Sequence, residues 1–257
     1  MSAQDLAVCI SNHFTDLHQA LAALATGRLD LYFSIGVDYR MLALCALLRD
    51  ADVDTYCDFL ARSGQVRQHF LENVARPAGA DPRIWCLSKD LFFPASLAAG
   101  DLETARAIAV ASPRRHEPAV EYEDDFLFVH FLHRALVGTP QELDAILARW
   151  ETVLEGNSSA RFEVCRALAS SRQDELDHAL HGLVSQRQRE LEAYRKSLRF
   201  HAEEYAAEGH VFVDGLAVLR LAELRNLKTE PEYPLLPRAA RVPLGKRLPP
   251  PGAWRSP

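Results

Sequence analysis

Residues 201–227, HAEEYAAEGHVFVDGLAVLRLAELRNL, constrain the fold more than any other stretch, because their apolar residues leave almost no helical face free for water. Projected at about 100° per residue, Phe212, Leu216 and Leu219 share one side, Val211, Val218 and Ala222 a second, and Val213, Ala217 and Leu224 a third. A helix apolar nearly all round belongs at the centre of a protein, so the other helices are predicted to pack around this late segment. Asn226, Lys228 and Pro231 supply the stop chemistry. Asp214, Arg220 and Glu223 would then be partly buried and need partners, and they are read as structural anchors rather than catalytic groups.

The rest of the chain fits an all-α class of stacked antiparallel helical hairpins, solenoid-like or an orthogonal bundle, with no substantial sheet. Helix formers dominate, Gly is scarce at 12 of 257 residues, and alternating runs of Val, Ile, Thr and aromatics are almost absent. Residues 1–76 read as an N-terminal helical layer. Phe14, Leu17, Leu21 and Leu24 form one stripe ended by Gly27, and Met41, Leu44, Cys45 and Leu48 form another within YRMLALCALLRD. A third pattern through Val53, Cys57, Leu60, Val66, Phe70 and Val74 is predicted to break at Ser63 and Gly64. Residues 77–90, with Pro77, Gly79 and Pro82, are a turn-rich connection, either a subdomain boundary or a long loop within one domain.

Residues 91–235 then repeat one junction: an apolar helix, a short Gly or Ser turn, and a helix with acids in its first turn. Gly100, Gly138 and Ser171 mark these junctions, 38 and 33 residues apart, without the signature of a tetratricopeptide or ankyrin repeat. Asp101, Thr139 and Ser171 or Asp174 are the predicted cap or first-turn residues, with Pro140 at the first helical position. Residues 185–200 are polar enough to extend an exposed helix. Residues 236–257 form a basic, Pro-rich tail, the last ten or so expected to be mobile.

Composition narrows function by exclusion. The net charge is −6, and Arg238, Arg241, Lys246, Arg247 and Arg255 all lie in the tail, which leaves −11 on the body. A nucleic-acid binder would carry the opposite balance, so a basic protein partner suits the body better. The N-terminus lacks the pattern of an export signal, and no window reaches the roughly 18 apolar residues of a membrane span, which predicts a cytoplasmic location without membrane contact. Cys9, Cys45, Cys57, Cys86 and Cys165 are odd in number and sit among apolar neighbours, as reduced core residues do.

Chemistry is sparse. No phosphate loop, dinucleotide fingerprint, nucleophile elbow or zinc-ligand spacing occurs, so no catalytic, metal or cofactor site is expected. Glu175 and His178 form one ExxH element where a di-iron bundle needs two. His130 and His133 share a helical face beside Glu123, Asp124 and Asp125. They read either as an acid and base pocket or as semi-buried helix histidines bonded to neighbours. The most informative surface feature is HEPAVEYEDDFLF. There Glu117, Glu121, Glu123, Asp124 and Asp125 surround Tyr122 and Phe126, more acid than capping requires. Dense charge with interleaved aromatics suits a surface that steers and then anchors a basic protein.

The order of elements carries a resemblance. The acidic aromatic EYEDDFLF is followed by VLEGNSSARFEVCRALASSRQDELDHALHGLVSQRQRELE and then by EEYAAEGHVFVDGLAVLRLAELRNLKTEPEYPLLP. This pattern resembles the immunity protein 49 family of bacterial polymorphic toxin systems. Phe212, Gly215, Leu216, Leu219, Ala222 and the ensuing EPEYPLLP are its most specific part, and it covers roughly residues 85–237. The resemblance implies a helical, non-enzymatic protein that binds a cognate toxin domain acting in the cytosol and blocks it by stoichiometric occlusion. From charge alone, Glu121, Glu123, Asp124 and Asp125 would attract that partner and Tyr122 and Phe126 would anchor it. A helical-repeat scaffold or adaptor without catalytic activity is the alternative class, and a small enzyme built on His130 and His133 a third.

Overall fold

Helix ends in this chain are set by local chemistry. In the computed structural model, which describes residues 3–256, the helices are α1 (Ala3–Ala23), α2 (Asp30–Asp50), α3 (Val53–Asn73), α4 (Phe92–Ala99), α5 (Leu102–Ala111) and α6 (Glu123–Val137). They continue as α7 (Pro140–Leu154), α8 (Ala160–Ser170), α9 (Gln173–Arg195), α10 (Ala202–Glu208) and α11 (Val213–Leu224). Among the described residues there is no strand beyond an isolated bridge between Tyr233 and Leu236. Asp52 caps α3 by accepting from the amides of Asp54 and Thr55, and Asp101 caps α5 by accepting from Thr104. Thr139 and Glu142 close a reciprocal capping box on α7, with Pro140 at its start. Gly100 ends α4 in the left-handed region at φ 79°, which a side chain would disfavour. Ser171 differs from expectation: it ends α8 at φ 52° instead of capping α9, while Asp174 lies in the first turn of α9.

Consecutive helices pack as a stack, α1 on α2, α2 on α3, α3 on α4 and α5, then α5 on α6 and onward to α9. The chain then returns. α10 lies on α1 and α2, while α11 contacts α4, α6 and α9, so the late helices tie the first hairpin to the last. Nearly every residue of α11 is buried, from Gly215 to Ala222, as its all-round apolar pattern requires. The 201–227 stretch is two helices, however. It breaks at Gly209, where any Cβ would come within 2.5 Å of the Tyr205 carbonyl oxygen. Leu6 and Cys9 of α1 share one buried cluster with Val213 of α11 and Val242 near the C-terminus, so a single core runs through both halves.

Two further elements differ from expectation. α3 runs unbroken through Ser63 and Gly64, because both serve packing: Ser63 Oγ donates to the Gly36 carbonyl at 2.7 Å, and Gly64 faces Ser96 of α4. α2 starts nine residues before the apolar run that marked it, and it is long and apolar enough to cross a membrane by length and composition. Of its most apolar window, 67% is buried inside the protein, between α1 and α3.

The C-terminal segment is a strap. Trp254 is 2% exposed within a cluster of Leu17, Leu31, Ile35, Tyr39, Leu42 and Val66. Partners distant in sequence hold the backbone around it: Tyr39 Oη donates to the Trp254 carbonyl at 2.7 Å, and Arg62 donates to the Ala253 carbonyl at 2.8 Å. Arg220 and Glu223 fill the anchoring role expected of them. Arg220 donates to the carbonyls of Leu97 and Val242, and Glu223 takes hydrogen bonds from Arg220 and Arg241.

Candidate functional site

The acid-rich segment enters α6 because carboxylates at a helix N-terminus are favoured by its dipole. The fold then gives each acid an internal partner. Glu121 is buried and accepts from the backbone amides of Ser88 and Glu117, both at 3.0 Å, pinning the 77–90 connection to the body. Glu123 accepts from Arg149 Nε of α7 at 2.6 Å, Asp124 accepts from the indole of Trp150, and Asp125 accepts from Arg161 of α8 at 2.6 Å. Glu117 lies 3.6 Å from Arg76. Five acids therefore face three arginines, and the local field is far weaker than the sequence run suggests.

The two aromatics separate. Tyr122 is 82% exposed, whereas Phe126 is fully buried, stacked on His130 with centroids 5.2 Å apart and flanked by Arg149. Phe126 is thus a core residue, not an outward anchor, because its ring fills the space between α6 and α7. Glu121 is likewise committed to backbone amides and does not present a free charge.

The histidine pair does not form an open acid and base pocket. His133 is 1% exposed, packed on Phe93 at 4.1 Å, with its Nε2 3.6 Å from Asp90 Oδ2. Asp90 in turn accepts from the amides of Phe92 and Phe93 and lies 3.9 Å from Arg67, which donates to the Ile84 carbonyl. Burial pushes both His130 and His133 down to about 4, so each is a neutral imidazole at pH 7. Glu175 pairs with Arg172 at 2.8 Å and His178 is exposed. Among the described residues no group of three or more His, Cys, Asp or Glu is placed to hold a metal ion.

The depressed histidines carry a pH prediction. Their folded values lie below the ordinary 6.5, so the unfolded chain binds protons more readily between pH 6.5 and about 4. The stability this provides is complete above pH 6.5 and is lost as pH falls to about 4, on the order of 3 kcal/mol for His133. Urea midpoints measured at pH 7 and 4.5 should fall less for His133→Gln, which cannot titrate there, than for the native chain. Parallel losses would refute it.

Sequence reasoning missed one surface. Between α9 and α10 lies a cleft of about 340 Å³ lined by Arg187, Glu190, Tyr194, Glu204, Tyr205 and Glu208. Glu208 pairs with buried Arg40, which holds its carboxyl below the usual range. Beside the cleft Phe200 packs between Tyr194 and Tyr205, at 5.6 and 5.5 Å, and Leu198 is fully exposed. A lone Leu and Phe in a polar run carry no periodic signal that could have marked them.

Comparison of the chain with protein-family models, with curated proteins and with solved structures finds no match.

Proposed function

We propose that this chain is an immunity-type inhibitor that binds a cognate cytosol-acting toxin domain and blocks it by occlusion. The resemblance of residues 85–237 to the immunity protein 49 family motivates the reading. The observation that carries it is Tyr122, which is 82% exposed beside carboxylates already fixed by Arg149, Trp150 and Arg161. Tyrosine supplies large contact area at a small entropic cost, and ordered neighbours lower that cost further. Glu123 and Asp125 keep lone pairs for a partner's cations while their arginines hold them in place.

The test is co-expression with the protein encoded immediately beside this one, scoring cell survival and then complex formation by size-exclusion chromatography. Rescue with a stoichiometric complex supports the proposal; a neighbour that stays lethal and unbound overturns it for that pair. Within such a complex Tyr122→Ala should raise Kd about 10- to 100-fold, the range of an aromatic hot spot. Replacing the acids instead would confuse binding with folding, because Asp124 and Asp125 hold α6 to α7 and α8.

A second reading, a helical scaffold that recruits another protein, is favoured by Leu198 and Phe200 at the α9–α10 turn. Leu198→Asp separates the two: it should abolish a scaffold contact there and leave toxin binding through Tyr122 intact.

A further inference from the structure

Two of the five cysteines lie together. Cys9 of α1 and Cys45 of α2 share a hydrogen bond, Sγ to Sγ 3.4 Å, and both are fully buried. The other thiols have different surroundings: Cys57 donates to the Ala99 carbonyl, Cys86 to the Pro82 carbonyl, and Cys165 is enclosed by the core. One turn along α1 from Cys9 is His13, and two turns back along α2 from Cys45 is Asp38. His13 Nδ1 meets Asp38 Oδ1 at 2.8 Å. The α1–α2 seam therefore carries two thiols, an imidazole and the carboxylate that orients it.

We propose that Cys9 and Cys45 form an oxidation site at which a small peroxide closes an inter-helix disulfide, with His13 supplying and regaining the proton. The assignment does not depend on the partner reading above.

The electrostatics suit the step. Burial opposes the charged form of His13, but the Asp38 hydrogen bond and Cys9 outweigh it and push His13 up to about 10, so it is a cation at neutral pH. The hydrogen bond between the thiols pushes Cys9 up and draws Cys45 down, so Cys45 is the sulfur that ionises first and Cys9 the one that keeps its proton. The resulting thiolate attacks one peroxide oxygen and the O–O bond breaks. The departing hydroxide takes a proton from His13 and leaves as water. The second thiol then returns a proton to His13 and attacks the sulfenic sulfur; its S–O bond breaks, and the departing hydroxide takes up the proton the pair first released, giving the second water. Two thiols and one hydrogen peroxide become one disulfide and two waters.

Access is narrow. His13 is 16% exposed at its side chain, and Asp38 lines an open groove of about 470 Å³ along the α1–α2 seam, with Asp16, Gln19 and Val37. Neither sulfur lines that groove and both are fully buried, so peroxide reaches them from the groove's Asp38 end as α1 lifts from α2.

The experiment uses the full, reduced chain. It is treated with hydrogen peroxide, blocked with N-ethylmaleimide under denaturation, and mapped by mass spectrometry without reduction. The expected product is a peptide pair joining Cys9 to Cys45, with Cys57, Cys86 and Cys165 recovered as alkylated thiols. In Cys9→Ser the reaction should stop at a Cys45 sulfenic acid that dimedone traps. His13→Gln, assayed without denaturant where it is still fully folded, should slow cross-linking about tenfold or more. Because the link joins residues 36 apart and ties an edge helix to the core, the oxidised protein should melt about 5 to 10 °C higher. The proposal is overturned if Cys9 and Cys45 are recovered as free thiols, or if the cross-link forms no faster in the folded chain than in urea. An unchanged rate in His13→Gln overturns the role given to His13.

Discussion

Deleting residues 244–257 is expected to destabilise the protein by several kcal/mol, although the segment holds four prolines and no helix longer than a single turn. Trp254 supplies most of the effect. Truncating a buried tryptophan costs about 3–5 kcal/mol, and Trp254 closes a cluster built by α1, α2 and α3. The deletion also removes the carbonyl that Tyr39 Oη reaches, the Ala253 and Ser256 carbonyls that Arg62 reaches, and the Pro249 and Pro250 carbonyls that Gln65 reaches. Those donors regain water once the strap is gone, so their loss adds less than the ring does. The pair Lys246–Asp54 adds little, because Asp54 is almost fully exposed. Trp254→Ala keeps every backbone carbonyl and isolates the ring; it should account for most of the loss in urea midpoint. A mobile tail would give no shift in either variant.

The contrast between that strap and its sequence shows what local pattern can and cannot carry. Asp101, Thr139, Pro140 and Gly100 are legible because a cap is made within a few residues of itself. The central place of α11 is legible because a helix without a polar face has few other places to go. The strap is not: its partners Tyr39, Arg62 and Gln65 lie 184 to 215 residues earlier, and Pro-rich, basic composition says only that no helix continues. The acid run at 117–125 fails in the same way. Its helix-start chemistry is local, but Arg149, Trp150 and Arg161, which take up its charge, lie 26 to 36 residues downstream. Position and burial likewise divide Tyr122 from Phe126, which the sequence presents as equivalent aromatics in one cluster. The Cys9 and Cys45 pair was hidden for the same reason, since two cysteines on separate stripes look like two core residues.

Gly64→Val is expected to be among the most damaging single substitutions in the helices, and Gly64→Ala should already destabilise. Ordinarily the sign is opposite, because replacing a mid-helix glycine by alanine stabilises by about 0.5–1 kcal/mol through the unfolded chain. At Gly64 an added Cβ would lie 1.9 Å from Ser96 Oγ and 3.2 Å from both Ser96 Cβ and Thr104 Cγ2. Ser96 is fully buried, and its Oγ donates to the Phe92 carbonyl at 3.0 Å, so it has no solvent to swing into. α3 must therefore move away from α4 and α5. Overpacking of this kind costs about 1–3 kcal/mol for one methyl and more for valine. The neighbour can be tested directly. Ser96→Gly removes two of these three atoms, including the nearest, so Gly64→Ala should cost less in that background than in the native chain, a coupling a double-mutant cycle reads from urea midpoints. Gly182 of α9 is the internal control: its added Cβ would meet nothing nearer than Ala160 Cβ at 3.9 Å. Gly182→Ala should raise stability by about 0.5–1 kcal/mol, so the two glycines, alike in helical position, should respond with opposite signs.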